Sequence, residues 1–174
     1  MKKIILVGYM GSGKSEIGKL LSKDCNLPFF DLDILIENAL SKSISEIFDE
    51  KGEVYFRKIE HEIFQKTILL NQSFVLSLGG GTPCYAENHI LLKDKSVTSI
   101  YLKASITTLQ NRLKVNRASR PLLQNLSDQE LTEFIAKHLF ERSYYYNQSK
   151  ETVVVDGKSP LEIVSEIEKL MHSL

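Results

Sequence analysis

Apolar residues fall into five short, nearly continuous runs along the chain, each bounded by polar or glycine-rich sequence. The runs span residues 4–7, 29–32, 74–78, 97–102 and 152–155, and Val, Ile, Leu and Phe dominate them. Such continuity is typical of strands buried on both faces of a parallel sheet, because helices then cover each face. The pattern therefore predicts five strands of one parallel sheet.

The segments between these runs have helical spacing and recognisable helix starts. Ser43, Ser127 and Ser159 are each followed three residues later by glutamate, which is the capping-box pattern. After Ser127, apolar residues recur at spacings of three and four, as in a helix with one buried face. The alternation of strands and helices predicts one domain over residues 1–174, a three-layer α/β/α fold with right-handed crossovers.

Composition narrows the classes of function. The 174 residues balance 22 Lys+Arg against 22 Asp+Glu, so the broad basic surface of a nucleic-acid binder is excluded. The two cysteines, Cys25 and Cys84, lie far apart and are expected to be reduced thiols. The N-terminal apolar run of four residues is shorter than the ~7–15 of a signal peptide, and no run approaches a membrane span. We expect a cytoplasmic protein without a membrane partner.

Residues 8–15, GYMGSGKS, fit the phosphate-loop pattern G-x-x-x-x-G-K-S between a predicted strand and a predicted helix. Backbone amides of such a loop surround phosphate oxygens, and the helix N-terminus adds positive potential. Lys14 is expected at the β- and γ-phosphates and Ser15 at Mg²⁺. The expected nucleotide contacts are Gly11, Ser12, Gly13, Lys14, Ser15 and Glu16. By itself the loop does not distinguish a kinase from a GTPase or an ATP-driven machine.

Two aspartates, Asp31 and Asp33, follow the second predicted strand, where open parallel sheets face their ligands. In extended chain their side chains would point the same way. One would then hold Mg²⁺ and the other would accept the proton of an attacking hydroxyl. The alternative is an aspartate that caps the next helix.

The flanking charge is uneven. Residues 31–62 contain nine Asp+Glu and four Lys+Arg. Here Arg57 and Glu60 form either a surface ion pair or a guanidinium fork for a substrate carboxylate or phosphate. Residues 103–127 instead contain five Lys+Arg and no acid. This stretch, which includes Arg120, is either a lid that brings arginine to the triphosphate or a solvated basic loop.

Three consecutive glycines, residues 79–81, follow the third predicted strand. A flexible turn is one interpretation. At the carboxyl end of a central strand, however, glycines also let a ligand lie against backbone amides, and we expect this role.

These motifs, in this order, resemble the shikimate kinases. The resemblance rests on residues 8–15, Asp31-Leu32-Asp33, Arg57 with Glu60, residues 75–81, residues 120–123, and Arg142 four before Tyr146. It implies a P-loop fold with sheet order 2-3-1-4-5, a substrate-binding subdomain at about 33–62 and a lid at about 112–124. It also implies a monomer that uses ATP and Mg²⁺ to phosphorylate the 3-hydroxyl of shikimate, in the pathway to chorismate and the aromatic amino acids.

The same resemblance implies roles for single residues. Asp31 is expected near the metal, and Asp33 is expected to grip the shikimate hydroxyls and assist proton removal. The expected shikimate contacts besides Asp33 are Arg57, Gly79, Gly80, Gly81 and Arg142, with the two guanidinium groups taking the carboxylate.

On the nucleotide side, the resemblance places Arg120 at the transferred phosphoryl group and Arg112 and Pro160 on either face of adenine. Thr82-Pro83 departs from the small-then-aliphatic pair usual in the family. We expect a local change of backbone there and an intact site.

Two other functions fit the motifs less well. A gluconate-type or nucleotide kinase would share the loop, but the glycine run with Arg57 and Arg142 favours a small carboxylate acceptor. A nucleotide-binding regulatory domain would not need Asp33 and Arg120.

Overall fold

A five-stranded parallel sheet forms the middle layer of the computed structural model, which describes residues 2–115 and 123–173. The strands are β1 (Lys3–Val7), β2 (Phe29–Asp31), β3 (Phe74–Ser77), β4 (Val97–Lys103) and β5 (Glu151–Val154). They lie in the order β2-β3-β1-β4-β5. The predicted sheet and its strand order are confirmed.

Helices connect the strands and cover the sheet. They are α1 (Lys14–Asp24), α2 (Leu32–Leu40), α3 (Ile44–Ile68), α4 (Asn88–Leu91), α5 (Ile106–Val115), α6 (Asp128–Tyr146) and α7 (Pro160–Ser173), with a 3₁₀ turn at Thr82–Cys84. The capping boxes at Ser43 and Ser127 form as predicted, and Ser159 and Glu162 bond reciprocally before α7. No helix in the described part of the chain is long and apolar enough to cross a bilayer.

The central position of β1 determines where a ligand can bind. This strand pairs with β3 on one side and β4 on the other, and all five of its residues are buried. Because all strands run in the same direction, the segments after β1, β2 and β3 meet at one edge. The phosphate loop, the aspartates and the glycine run are those segments.

The predicted subdomain and lid stay predictions. Residues 33–62 cover most of α2 and the first part of α3, which is broken at Gly52 (φ 78°, ψ 174°). Arg112, at the predicted start of the lid, lies on α5. Residues 116–122, including Arg120, lie outside the described residues.

Candidate active site

The phosphate loop turns sharply between β1 and α1. Gly11 and Gly13 have φ angles of 82° and 99°, a region that side chains with a Cβ rarely adopt. Gly13 is the residue preceding α1. The loop therefore has the backbone form that directs its amides toward an anion at the helix N-terminus.

Cationic side chains from two helices contact this loop. Lys14 is largely buried, and its Nζ donates to the carbonyl oxygens of Gly8 (2.8 Å) and Tyr9 (3.1 Å). From α5, Nη1 of Arg112 donates to the carbonyl oxygens of Gly11 and Ser12, both at 3.2 Å. The loop thus has positive charge on two sides.

Asp31 and Asp33 lie close together, but the chain that joins them is not extended. Asp31 ends β2, and its Oδ1 accepts the backbone N–H of Asp33 (3.1 Å), so Asp31 is the N-cap of α2 and Asp33 lies in the first helical turn. The expectation of a shared extended geometry was wrong, because the capping bond turns the chain into a helix at once. The other Asp31 oxygen, Oδ2, accepts from the Ser15 hydroxyl (2.7 Å).

Asp33 has an unusual environment for a carboxylate. It is exposed to solvent where it lines the cavity. The surrounding protein nevertheless removes part of the carboxylate's hydration, and this desolvation raises its pKa to about 6; the charges of Asp31 and Glu60 add to the rise, while Lys14 opposes it. The side chain is therefore ionised near neutral pH and becomes protonated in mild acid, which suits a group that exchanges a proton with a substrate hydroxyl.

Arg57 and Glu60 are not a surface pair. Glu60 is only 1% exposed; its Oε2 accepts from Nη1 of Arg57 (2.8 Å), and its Oε1 accepts from the Thr82 hydroxyl (2.6 Å). Burial lowers the pKa of Arg57, but Glu60, with smaller contributions from Tyr85 and Glu53, outweighs this effect and the pKa is raised. A buried carboxylate with both oxygens bonded anchors the guanidinium group at a fixed point.

The glycine run lies where the functional side chains converge. A Cβ added at Gly79 would lie 3.1 Å from Oδ1 of Asp33, and one at Gly81 would lie 2.8 Å from Nη2 of Arg57. One at Gly80 would lie 3.4 Å from the backbone nitrogen of Met10, in the phosphate loop, and 3.8 Å from Nη1 of Arg142. At Gly79 and Gly81 a larger residue would therefore have to displace its neighbours, whereas at Gly80 a Cβ would only be in ordinary contact.

Helix α6 is tied both to the glycine run and to the phosphate loop. Tyr146 is fully buried and its hydroxyl donates to the Gly80 carbonyl (2.6 Å). One turn earlier, the Arg142 guanidinium carbon lies 5.7 Å from the centroid of the Tyr9 ring. The Tyr9 hydroxyl bonds Nδ1 of His138 (3.0 Å). These contacts fix the position of Arg142 beside the loop.

Most predicted site residues surround one cavity of about 480 Å³. Those that line it are Gly11, Gly13, Lys14, Ser15, Glu16, Asp31, Asp33, Gly79, Gly80 and Arg112. Gly81 is the last residue of the glycine run, Arg57 and Arg142 adjoin this run, and Ser12 is buried in the loop. Pro160 is the first residue of α7 and is not among the lining residues. Its adenine contact stays a prediction, as does that of Arg112.

Sequence reasoning missed the residues that support the arginines. Thr82 lies in a 3₁₀ turn, and its hydroxyl donates a hydrogen bond to Glu60. The sequence shows that Thr82 differs from the family pattern, but this difference does not reveal the hydrogen bond. Tyr85, whose ring lies against Arg57, and Tyr9, which contacts α6, carried no signal of these contacts. Both contacts join segments far apart in the sequence.

The donors at the loop entrance suit a hard divalent cation. The Ser15 hydroxyl and the Asp31 carboxylate are adjacent oxygen ligands, of the kind that Mg²⁺ takes together with substrate phosphates. Within residues 2–115 and 123–173 there is no group of three or more His, Cys, Asp or Glu side chains able to hold a metal.

Sequence comparison gives a consistent result over nearly the whole chain. The family model described as shikimate kinase matches residues 10–172. A shikimate kinase from Flavobacterium psychrophilum is 63% identical over 171 residues, covering 98% of this chain and 99% of that protein.

Solved structures give the same answer. A crystal structure of shikimate kinase from Bacteroides thetaiotaomicron has a TM-score of 0.90 and 32% identity, covering 98% of both chains. A shikimate kinase from Acinetobacter baumannii in complex with shikimate has a TM-score of 0.87 and 27% identity, covering 98% of this chain and 93% of that one.

Proposed function

Because the chain belongs to the shikimate kinase family, we propose which of its residues bind ATP, which bind shikimate, and which move the proton. The chain is an ATP-dependent kinase that transfers the γ-phosphoryl group of ATP to the 3-hydroxyl of shikimate. The products are shikimate 3-phosphate and ADP.

We assign ATP to the phosphate-loop side of the cavity. Backbone amides of residues 11–16 surround the phosphates, and Nζ of Lys14 moves from the Gly8 and Tyr9 carbonyls to the β- and γ-phosphates. This exchange is favourable because phosphate oxygens carry charge and carbonyl oxygens do not. Arg112 lies beside the loop for the nucleotide, and Arg120 is assigned to the transferred phosphoryl group on the family resemblance.

We assign Mg²⁺ to the Ser15 hydroxyl and the Asp31 carboxylate. When bound, the ion neutralises negative charge on the phosphate oxygens. Asp31 has a second task, since its other oxygen caps α2 and so positions Asp33.

We assign shikimate to the side of the glycine run where Asp33, Arg57 and Arg142 lie. One observation carries this assignment: each glycine of 79–81 lies beside a different functional group, because an added Cβ would come near Asp33 at Gly79, Arg142 and the phosphate loop at Gly80, and Arg57 at Gly81. A small molecule against this wall therefore reaches all of them. Two guanidinium groups bind a carboxylate, and Asp33 accepts hydrogen bonds from ring hydroxyls. Gly80 also touches the phosphate loop, so the acceptor hydroxyl and the phosphate donor come together here.

Asp33 then accepts the proton of the 3-hydroxyl as that oxygen attacks phosphorus. With a pKa of about 6, the carboxylate is ionised at neutral pH and is still basic enough to take the proton. Catalysis otherwise consists of positioning and charge stabilisation, because the transition state of phosphoryl transfer is loose.

The decisive experiment is to incubate the protein with ATP, Mg²⁺ and shikimate and to look for shikimate 3-phosphate by ³¹P NMR or mass spectrometry. Gluconate and nucleoside monophosphates serve as alternative acceptors in parallel reactions. Formation of shikimate 3-phosphate alone is expected. Phosphorylation of another acceptor, or of none, would refute the function. Omitting Mg²⁺ and adding EDTA should abolish the product.

The same proposal includes a monomer that works in the cytoplasm. The monomer is what the resemblance to the shikimate kinases implies. Size-exclusion chromatography with light scattering at the assay concentration tests the monomer.

A further inference from the structure

Tyr85 contacts Arg57, although the proposed mechanism gives it no role. The guanidinium carbon of Arg57 lies 4.1 Å from the centroid of the Tyr85 ring, within the range of a cation–π interaction. Tyr85 directly follows the 3₁₀ turn Thr82–Cys84, as its C-terminal cap, and is 37% exposed. The interaction therefore connects the segment that follows the glycine run to α3, the earlier helix that carries Arg57.

Other groups hold Arg57 at its edges. Nη1 bonds the buried Glu60 (2.8 Å), and Nε bonds the more exposed Glu53 (3.3 Å). Glu53 also interacts with the hydroxyl of Tyr85. The pKa of this hydroxyl is raised, mainly by burial and next by its hydrogen bond with the Glu53 carboxylate. Tyr85, Glu53 and Arg57 thus form a small cluster in which each member interacts with the other two.

Edge contacts alone leave one degree of freedom. A guanidinium group bonded through Nη1 and Nε can still rotate about the line that joins these two atoms, and a planar fork binds a carboxylate well only when it is coplanar with it. Aromatic rings against the guanidinium group resist this rotation. The Tyr85 ring lies closer to the guanidinium carbon than the Phe56 ring does, at 4.1 Å against 5.0 Å from centroid to carbon. Gly81 provides the space, because a Cβ there would lie 2.8 Å from Nη2 of Arg57.

We propose that Tyr85 is a positioning residue that holds the plane of the Arg57 guanidinium in the orientation that receives the acceptor carboxylate. The inference rests on the proposed role of Arg57 in binding shikimate. Tyr85 itself need not touch the acceptor.

The test compares KM for shikimate, KM for ATP and kcat in Tyr85→Leu and Tyr85→Phe. The leucine variant should raise KM for shikimate about five- to tenfold, because the π-face is lost. Its KM for ATP and its kcat should stay within about twofold of the original protein. The phenylalanine variant keeps the ring and should retain nearly the original KM for shikimate.

Tyr55→Leu is the matched control. Tyr55 has almost the same exposure, 36%, lies on the same helix as Arg57, and is near Lys42. The Tyr55→Leu substitution makes the same chemical change and should leave KM for shikimate, KM for ATP and kcat unchanged. Thermal melts of every variant show whether any rise in KM comes from partial unfolding.

A double-mutant cycle separates this inference from the proposed function. If Tyr85 acts through Arg57, then Tyr85→Leu should have no further effect on KM for shikimate in an Arg57→Ala background. Arg57→Gln replaces the alanine variant if the latter does not fold.

Three results would overturn the inference, and they are distinguishable. An unchanged KM for shikimate in Tyr85→Leu, with a raised KM in Arg57→Ala, refutes Tyr85 alone. Equal effects of Tyr85→Leu in both backgrounds mean that the ring contacts the acceptor directly. An unchanged KM in Arg57→Ala refutes the proposed role of Arg57 and this inference with it.

Discussion

The phosphate loop and the acceptor side, which is the shikimate side around Arg57 and Arg142, both lie against the glycine run. The two are nevertheless built in different ways. In the phosphate loop, hydrogen bonds join residues that are close in the sequence, such as those from Lys14 to the carbonyl oxygens of Gly8 and Tyr9. On the acceptor side, Arg57 and Thr82 meet through Glu60 although they come from separate segments. The loop is therefore a local motif, and the acceptor side exists only once the fold has formed. Substitutions on the two sides should fail differently.

The largest effect is expected on the phosphate side. Lys14→Ala should lower kcat by about a thousandfold or more, because a charge-stabilising donor to the transferred group is lost. A coupled spectrophotometric assay measures the loss. Lys19→Ala, an exposed lysine on the same helix, is the control and should behave as the original protein. Retained turnover in Lys14→Ala would remove the basis for treating the two sides as distinct.

Asp33 lies between the two sides, and its replacement should be nearly as damaging. Asp33→Asn removes the proton acceptor and should lower kcat by about 10²- to 10⁴-fold. In the original protein, kcat/KM should fall as the pH drops below about 6, since the pKa of Asp33 is raised to about 6. A pH profile without a limb in that region would contradict the assignment.

Asp33 also makes a prediction about stability. Its pKa is higher in the folded protein than the usual ~3.9 of an unfolded chain, so the ionised form destabilises the fold. This cost is complete above about pH 6 and disappears as the pH falls through about 4. Asp33→Asn should therefore raise the melting temperature at pH 8 and leave it unchanged near pH 4. A lowered melting temperature at pH 8 would contradict this sign.

Substitution of an arginine on the acceptor side should weaken shikimate binding more than it lowers kcat. Arg142→Ala should raise KM for shikimate about 10- to 100-fold, the cost of a charge-assisted contact. KM for ATP should change little. A selective rise in KM for ATP would instead assign Arg142 to the nucleotide and would blur the distinction between the two sides.

The smallest effect is expected at the support of Arg57. Thr82→Val removes the hydroxyl that bonds Oε1 of the buried Glu60 and should lower the free energy of unfolding by about 1–3 kcal/mol. Urea denaturation measures the change. Thr82→Ser keeps the hydroxyl and should recover much of the loss. If valine is as stable as threonine, the acceptor side does not depend on this long-range contact.

Local signals explain what sequence reasoning predicted well. The loop over residues 8–15, the five strands and the helix start at Ser127 each depend on neighbouring residues, and each formed close to its predicted place. An aspartate directly after a strand also favours an N-cap, and Asp31 indeed caps α2.

Non-local contacts explain what it did not predict. The burial of Glu60 cannot be read from a helical i, i+3 spacing, because that spacing is the same on a surface. Its burial depends on the path of the segment around Thr82, which brings a hydroxyl against it. Tyr9 likewise occupies a freely variable position of the loop motif, and its partner His138 lies on α6.

The shared wall has a consequence for how acceptor specificity can change. A side chain at residue 79 or 81 would disturb Asp33 or Arg57, so altering the wall at these positions to admit another acceptor would also damage catalysis. Natural divergence and laboratory redesign must instead work around it, through the exposed positions near Tyr85 or through α6. Gly79 and Gly81 thus restrict changes of acceptor specificity at the point where the two substrates meet.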